Sequence, residues 1–564
     1  MTAALTQPVP VRFVPRRKRP SIWVVLPVLF LVAMSVLPLL YVAIKAWEAG
    51  WREALYLLWR PYVWGLMRNT LLLMVGVTLT CMVVGLALAW LLERSDLPGR
   101  RLWGVVLCLP FAVPSFVSSF TWVSLSSDFE GLGGAILVMA LSKYPLIFLP
   151  VAATLRNLDT SLEESARTLG CSRWSVYRKV TLPLLWPSML GGALLIALHM
   201  LVEFGALSIL GLQTFTTAIY QQFELEFSNA NAAMLSAVLL AMCLIMLWLE
   251  LRVRGKARHV RIGQGVARRA QPVKLRGWAI PAQVFCLGLA VLGSGIPLAM
   301  LGYWLSVGSS AAFPIADISR ALFTSLSVSL GGAGFCVVLA LPISFLVVRY
   351  KGRLAIWAER LPYLLHALPG LVIALTLVFF ALHYVPALYQ TTALLLLAYA
   401  LLFLPLAQSP VRTALNKASP TLEEAARTLG ASSFAAFCKV TLPIIFPAMA
   451  AAFALVFLDA MKELTATLLL SPTGMTTLAT EVWAHTANVE FAAAAPYAAL
   501  LIVVSGLPVY LLTTRMYLNR AGWPKAHHAR NWPRLARSWA ARSSSTLLLA
   551  VVCITTSAER SAWV

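Results

Sequence analysis

Twelve runs of twenty or more mostly apolar residues punctuate this 564-residue chain, at 22–45, 69–92, 102–125, 133–153, 188–210 and 232–251, then at 278–305, 324–348, 357–382, 391–411, 448–470 and 494–514. About 20 apolar residues are what a helix needs to cross roughly 30 Å of hydrocarbon, so each run predicts a transmembrane span. Composition agrees, because 12% of the residues are charged where a soluble domain carries about 25%. Mean hydropathy is +0.80. A soluble domain, a disordered chain, a collagen and a disulfide scaffold are all excluded, and the expected fold class is an all-α membrane protein of about twelve transmembrane helices.

The net charge of +23, from 45 basic and 22 acidic side chains, would suit a nucleic-acid partner if it were spread over one surface. It is not. Lys and Arg concentrate in alternate inter-helix segments: the amino terminus (Arg12, Arg16, Arg17, Lys18, Arg19), then 94–101, 156–179, 252–276, 349–360, 412–439 and 515 onward. Among the segments between them, 211–230 with Glu224 and Glu226 and 471–491 with Glu481 and Glu490 carry no Lys or Arg. Basic loops resist translocation, so both termini are expected in the cytoplasm. The basic excess then reports topology and contact with anionic lipid, not nucleic acid. The first apolar run exceeds a signal-peptide core and lacks an obvious cleavage site, which predicts an uncleaved helix. Eight cysteines (81, 108, 171, 243, 286, 336, 438, 553) show no CxxC or zinc-like spacing, and no disulfide framework is expected.

The two sets of six runs are copies. Asn69-Thr-Leu matches Thr324-Ser-Leu and Pro114 matches Pro369 at an offset of 255. At an offset of 260, Pro145 pairs with Pro405, Gly170 with Gly430, Pro183 with Pro443, Pro187 with Pro447 and Glu203 with Glu463. Residues 161–187 and 421–447 share 15 identities in 27 positions. An even number of spans per copy gives a parallel repeat with its pseudo-two-fold along the membrane normal and a substrate path between the halves. The expected organisation is a basic amino terminus (1–21), a first six-helix domain (22–251, core repeat 69–251), a basic linker (252–277), a second six-helix domain (278–514, core repeat 324–514) and a basic tail (515–564). Secondary transporters of six-plus-six type share this geometry.

The best-matched segment is a cytoplasmic loop. Ser161 with Glu164, and Thr421 with Glu424, have capping-box spacing and predict a short helix ended by Gly170 or Gly430. A second short helix, capped by Ser172 or Ser432, is expected to run to Val180 or Val440 before Leu182-Pro183 or Leu442-Pro443 stops it. Capping and inside-retention alone would explain the glutamates and the basic residues. They would not explain why a loop, usually the freer part of a fold, is better matched than the spans.

Glu424-Ala425-Ala426, Gly430, Val440, Leu442 and Pro443 resemble the "EAA" signature of ABC importer permeases. The first copy reads Glu164-Ser165-Ala166, Gly170, Val180, Leu182 and Pro183, with Ser165 in place of Ala. The resemblance implies that each ledge, including Glu163 and Glu423 beside the motif, is a coupling helix pair seated on a cytoplasmic ATPase. It implies two copies of that ATPase, usually a homodimer, and an external solute-binding protein. The chain itself has no G-x-x-x-x-G-K-[ST], since Gly255-Lys256-Ala257 fails at the last position, so ATP is expected on the partner and no enzyme activity or cofactor on this chain.

Two permease units fused in one chain resemble the ferric iron transporter permease family, as do 461–470 (MKELTATLLL), 477–480, 202–205 and 214–220. Thiamine and aminoethylphosphonate permeases carry similar phrases and supply the alternative substrates; the alternative of another class is an ion-coupled secondary transporter, which would work without an ATPase. Intramembrane charges are functional candidates by default. His199 and Glu203, and their counterparts Asp459 and Glu463, are four apart and are expected to share helical faces that look across the pseudo-two-fold. Glu203, Asp459 and Glu463 offer hard oxygens for a transient ferric contact. The competing reading is structural: Lys462 neutralises Asp459 or Glu463, and Glu203 accepts hydrogen bonds between helices. Pro110, Pro114, Pro362 and Pro369 are expected to kink their helices. The apolar stretch 546–556 is about half the length of a span and has no assigned role.

Overall fold

The computed structural model describes residues 20–49, 59–158, 161–224, 229–256, 272–308, 313–350 and 352–517, with isolated positions 52, 56 and 226, and describes no side chains beyond 506. The amino terminus, most of the linker, the tail with its 546–556 stretch, and Cys553 lie outside the described residues. Among the described residues, nine helices are long and apolar enough to cross a membrane, and eleven if each of two sharply bent helix pairs counts as one span. The twelfth expected run falls on the helix Phe491–Tyr517. Seven cysteines are free, five of them buried.

Three expectations about the spans are corrected. The third and ninth runs, expected as spans kinked at prolines, do bend at Pro114 and Pro369, but each divides there into two separate helices. Helix Ser115–Leu125 leaves the preceding 100–112 segment at 89°, and helix Gly370–Tyr384 leaves Arg353–His366 at 111°. Pro114 and Pro369 sit at these corners with extended backbones (ψ 142° and 133°), because a proline without an N–H cannot continue the ladder but serves well as the residue before a new helix. Pro110 lies in a 3-10 turn before the first corner, and Pro362 lies inside Arg353–His366.

The fifth and eleventh runs also break. Helix Leu182–Val202 stops before Glu203 and a separate short helix, Gly205–Ile209, follows; Leu442–Met461 stops in the same way before Thr465–Leu470. The cause is local. Glu203 Oε1 accepts the Ala206 amide at 3.3 Å and Glu463 Oε1 accepts the Ala466 amide at 2.8 Å, so each carboxylate satisfies a backbone donor of the next helix. Hydropathy sees only one apolar run here. The Glu203 amide still bonds to His199 O at 3.0 Å, so Glu203 closes the turn above His199, whereas Glu463 lies one residue past the cap Lys462.

The third correction concerns Pro183 and Pro443, which stop nothing. The short second ledge helix passes through a π turn, Tyr177–Thr181 or Phe437–Thr441, straight into the long span. The Leu182 amide bonds to Tyr177 O and the Leu442 amide to Phe437 O, five residues back. One wider turn moves the carbonyls out of the way of the proline ring, and the helix continues without the missing N–H.

Packing crosses the sequence boundary between the halves. Helix Ile22–Ala49 touches Asn229–Lys256 of its own half and also Ile315–Arg349, Arg353–His366 and Gly370–Tyr384 of the other. Its counterpart, Ala279–Ala290 continuing through a π turn into Ile296–Val307, packs on the first half: Ala282, Cys286 and Leu289 join the core formed by Leu73, Tyr144 and Ile147. Gly293 in that π turn lies so close to Pro110 that a Cβ there would be 2.8 Å from the proline ring. The linker's end is pinned as well. Val273 N donates to Arg94 O (2.8 Å), Asp96 N to Val273 O (3.1 Å) and Leu275 N to Asp96 Oδ1 (2.8 Å).

Candidate coupling ledges and translocation site

Each ledge is built from two short helices at one end of the helix bundle. In the second copy, helix Pro420–Thr428 is capped by Ser419, whose Oγ accepts the Thr421 amide, with Pro420 at the first turn. Thr421, expected as the cap, is already inside the helix, because proline presets the first helical φ one residue earlier. In the first copy the helix is Ser161–Thr168, and the residues before it lie outside the described ones. Gly170 (φ +84°) and Gly430 (φ +91°) end the helices as expected. Gly170 N donates to Arg167 O and Cys171 N to Ala166 O; Gly430 with Arg427, and Ala431 with Ala426, repeat the pair. This is a Schellman motif, and its left-handed residue is costly for any side chain with a Cβ. Ser172 and Ser432 cap the second helices by accepting the amides of Ser175 and Ala435.

The two glutamates of each motif point in different directions. Glu163 turns inward, where Arg94 Nη2 donates at 3.1 Å and Thr181 Oγ1 at 2.9 Å. The pair is largely buried, with the Arg94 side chain 7% and the Glu163 side chain 12% exposed. Glu423 repeats this with Arg349 Nη2 at 3.4 Å and with Thr441. One carboxylate thus ties the ledge to the end of the long helix Pro61–Arg94 or Ile315–Arg349, and to the π turn that opens the Leu182–Val202 or Leu442–Met461 span. Glu164 and Glu424 are exposed. So are Leu169 (84%), Trp174 (69%), Leu429 (88%) and Phe434 (78%), apolar side chains on the outer surface of a polar loop. Arg94, Thr181, Arg349 and Thr441 escaped the sequence reading, although the offsets of 255 and 260 pair them.

At mid-span the charged candidates converge where the halves meet. A Cβ on Gly205 would lie 2.6 Å from Leu464, so the two helix breaks abut. Phe204, Tyr220 and Trp483 pack across the same seam in tilted and edge-to-face contacts. His199, Glu203, Asp459, Lys462 and Glu463 lie within one electrostatic neighbourhood, joined by Lys143 and His366, which sequence reasoning did not select. Glu203 receives Ser115 Oγ at 3.1 and 3.0 Å and stands 3.9 Å from Lys143 Nζ. Lys462, the expected counter-ion, forms no ion pair within 4.0 Å among the described residues; its ammonium lies 6.0 Å from the Phe111 ring centre. Asp459 is exposed. Among the described residues no three His, Cys, Asp or Glu side chains are gathered to hold a metal ion.

Two ledges, each with an anchored and an exposed glutamate, agree with the match of residues 82–259 and 336–518 to the binding-protein-dependent transport system inner membrane component family. The chain belongs to that family. It is an ABC importer permease, a multi-pass inner-membrane component and not itself an enzyme, and its class works with an ATPase and a solute-binding protein. This permease is 45% identical over 88% of its length to the Fe(3+)-transport system permease protein FbpB 2 of Haemophilus influenzae, covering 98% of that protein. It is 30% identical to the sulfate transport system permease protein CysT of Escherichia coli, over 39% of this chain and 87% of that one. The molybdenum transport system permease protein ModB of Escherichia coli is 31% identical over 29% of this chain and 81% of its own. Permeases of single-unit length thus match part of this chain, whereas the iron permease matches nearly all of it.

Proposed function

We propose that this permease moves ferric iron inward across the bacterial inner membrane. The observation that carries the substrate is the 45% identity to an Fe(3+)-transport permease over nearly the full length of both chains. In this reading the ledges and both termini face the cytoplasm, as the basic loops favour. The two permease units, 22–251 and 278–514, are joined by the basic linker 252–277. Two copies of a cytoplasmic ATPase, which binds the ATP, seat one ledge each. Glu164, Ala166, Leu169, Gly170 and Trp174, and Glu424, Ala425, Ala426, Leu429, Gly430 and Phe434, form the seat. A periplasmic binding protein delivers the cargo on the opposite side.

The geometry supports a way to transmit force. Glu163 holds Arg94 and Thr181 together, and Leu182-Pro183 continue that turn into the span, so a push on the ledge moves two membrane helices as one piece. Glu423, Arg349, Thr441, Leu442 and Pro443 do the same in the second half. Both pieces end at the seam where His199, Glu203, Asp459, Lys462 and Glu463 meet, and rotation of one half against the other opens that seam to alternate sides.

The test is uptake of radiolabelled ferric iron and of labelled thiamine, side by side, in cells with and without this chain and with the partner ATPase disabled. Loss of iron uptake in both deficient strains is expected. Unchanged iron uptake with a fall in thiamine would replace the cargo, and iron uptake that survives without the ATPase would replace the transport class.

A further inference from the structure

Duplication supplied the permease with two equivalent carboxylates, Glu203 and Glu463, and their surroundings have diverged. Around Glu203 every contact restrains. Ser115 reaches both oxygens, the Ala206 amide takes Oε1, and Lys143 stands 3.9 Å from Oε2. Ser115 opens the helix beyond the Pro114 corner, and Lys143 ends Gly131–Lys143, so this carboxylate ties three elements of the first half together.

The same positions in the second half hold different residues. Ser115 becomes Gly370 at the offset of 255, and Lys143 becomes Phe403 at 260. Glu463 is held by the backbone amide of Ala466 at 2.8 Å and, among the described residues, has neither a side-chain donor nor a cation within ion-pair distance. Gly370 leaves it room: a Cβ there would lie 3.3 Å from Glu463 Oε1. Asp459, one turn earlier, is exposed, where the first half has His199. Lys462, His366 and Lys143 act on Asp459 from a distance, but among the described residues neither carboxylate has a cation within 4.0 Å, so the pair retains capacity for a passing cation.

We infer that the two carboxylates have separate jobs: Glu463 with Asp459 forms the acidic wall past which a cationic cargo moves, whereas Glu203 is a clasp that holds the first half's broken helices in place. The cargo rests on the ferric reading above, but the division of labour does not. No caged metal site is needed, because a pathway must release what it contacts.

Two readouts test this in the intact importer. Glu463→Cys, in membranes, is expected to react with a small cationic thiol reagent about tenfold faster than Glu203→Cys, measured peptide by peptide. Glu463→Gln is expected to lower ferric uptake about tenfold at unchanged complex yield and melting temperature, and Gly370→Ser, which restores the hydroxyl clasp, to lower it as well. Ser115→Ala is expected to lower the melting temperature while uptake per folded complex stays within about twofold. Equal labelling of the two cysteines, or wild-type uptake by Glu463→Gln, would overturn the inference. A wild-type importer that takes up no ferric iron would refute the cargo alone, and the labelling would still decide the assignment.

Discussion

Glu163 and Glu164 are adjacent and do opposite things. Arg94 and Thr181 pair with the first, and the second is bare. Removing one partner of a largely buried ion pair costs about 3 kcal/mol, because the other charge stays desolvated. Glu163→Ala should therefore lower the thermal stability of the permease, whereas Glu164→Ala should leave stability intact and weaken retention of the ATPase on purification; melting curves beside co-purification check both. Sequence alone marked both glutamates, through the repeat, but not which one turned inward. That depends on where Arg94 and Arg349 end their helices, a tertiary fact with no local pattern. Ser115 and Lys143 were illegible for another reason. Their counterparts are Gly370 and Phe403, so a search for matched residues passes over them.

Hydropathy located the spanning elements and missed their breaks. The runs 188–210 and 448–470 read as continuous because charges are few in them, Glu203 in the first and Asp459, Lys462 and Glu463 in the second, and only three-dimensional placement shows Glu203 and Glu463 each accepting the amide of the next helix. Leu-Pro in each ledge read as a stop, and a π turn converts it into a join. The strap at the linker's end belongs to this scale too. Asp96 accepts the Leu275 amide directly beside Arg94, so the linker is fastened next to the anchor of the first ledge. Asp96→Ala loses one charge-assisted hydrogen bond, a cost of about 2 kcal/mol. It should raise proteolytic cleavage between the halves and slow transport, while ATPase co-purification persists. Limited proteolysis with an uptake assay measures both.

Taken whole, the two halves are folded into each other. Helix Ile22–Ala49 lies against the second half, and the helix pair 279–307 against the first. Duplication was legible from motif offsets, but the exchange of first helices was not, since an apolar helix face does not encode which partner covers it. Each half expressed alone should therefore fail to accumulate in the membrane, and the two halves expressed together as separate chains should restore a complex, as immunoblots of membranes would record. The central claim is that the two ledges couple this permease to its ATPase. Its most direct test is uptake by the double variant Gly170→Asp with Gly430→Asp, whose side chains are forced into left-handed backbone at the end of each ledge helix, at about 1 kcal/mol each. The account predicts that transport and ATPase retention are lost while the permease remains in the membrane at wild-type level. Wild-type uptake by that variant would contradict it.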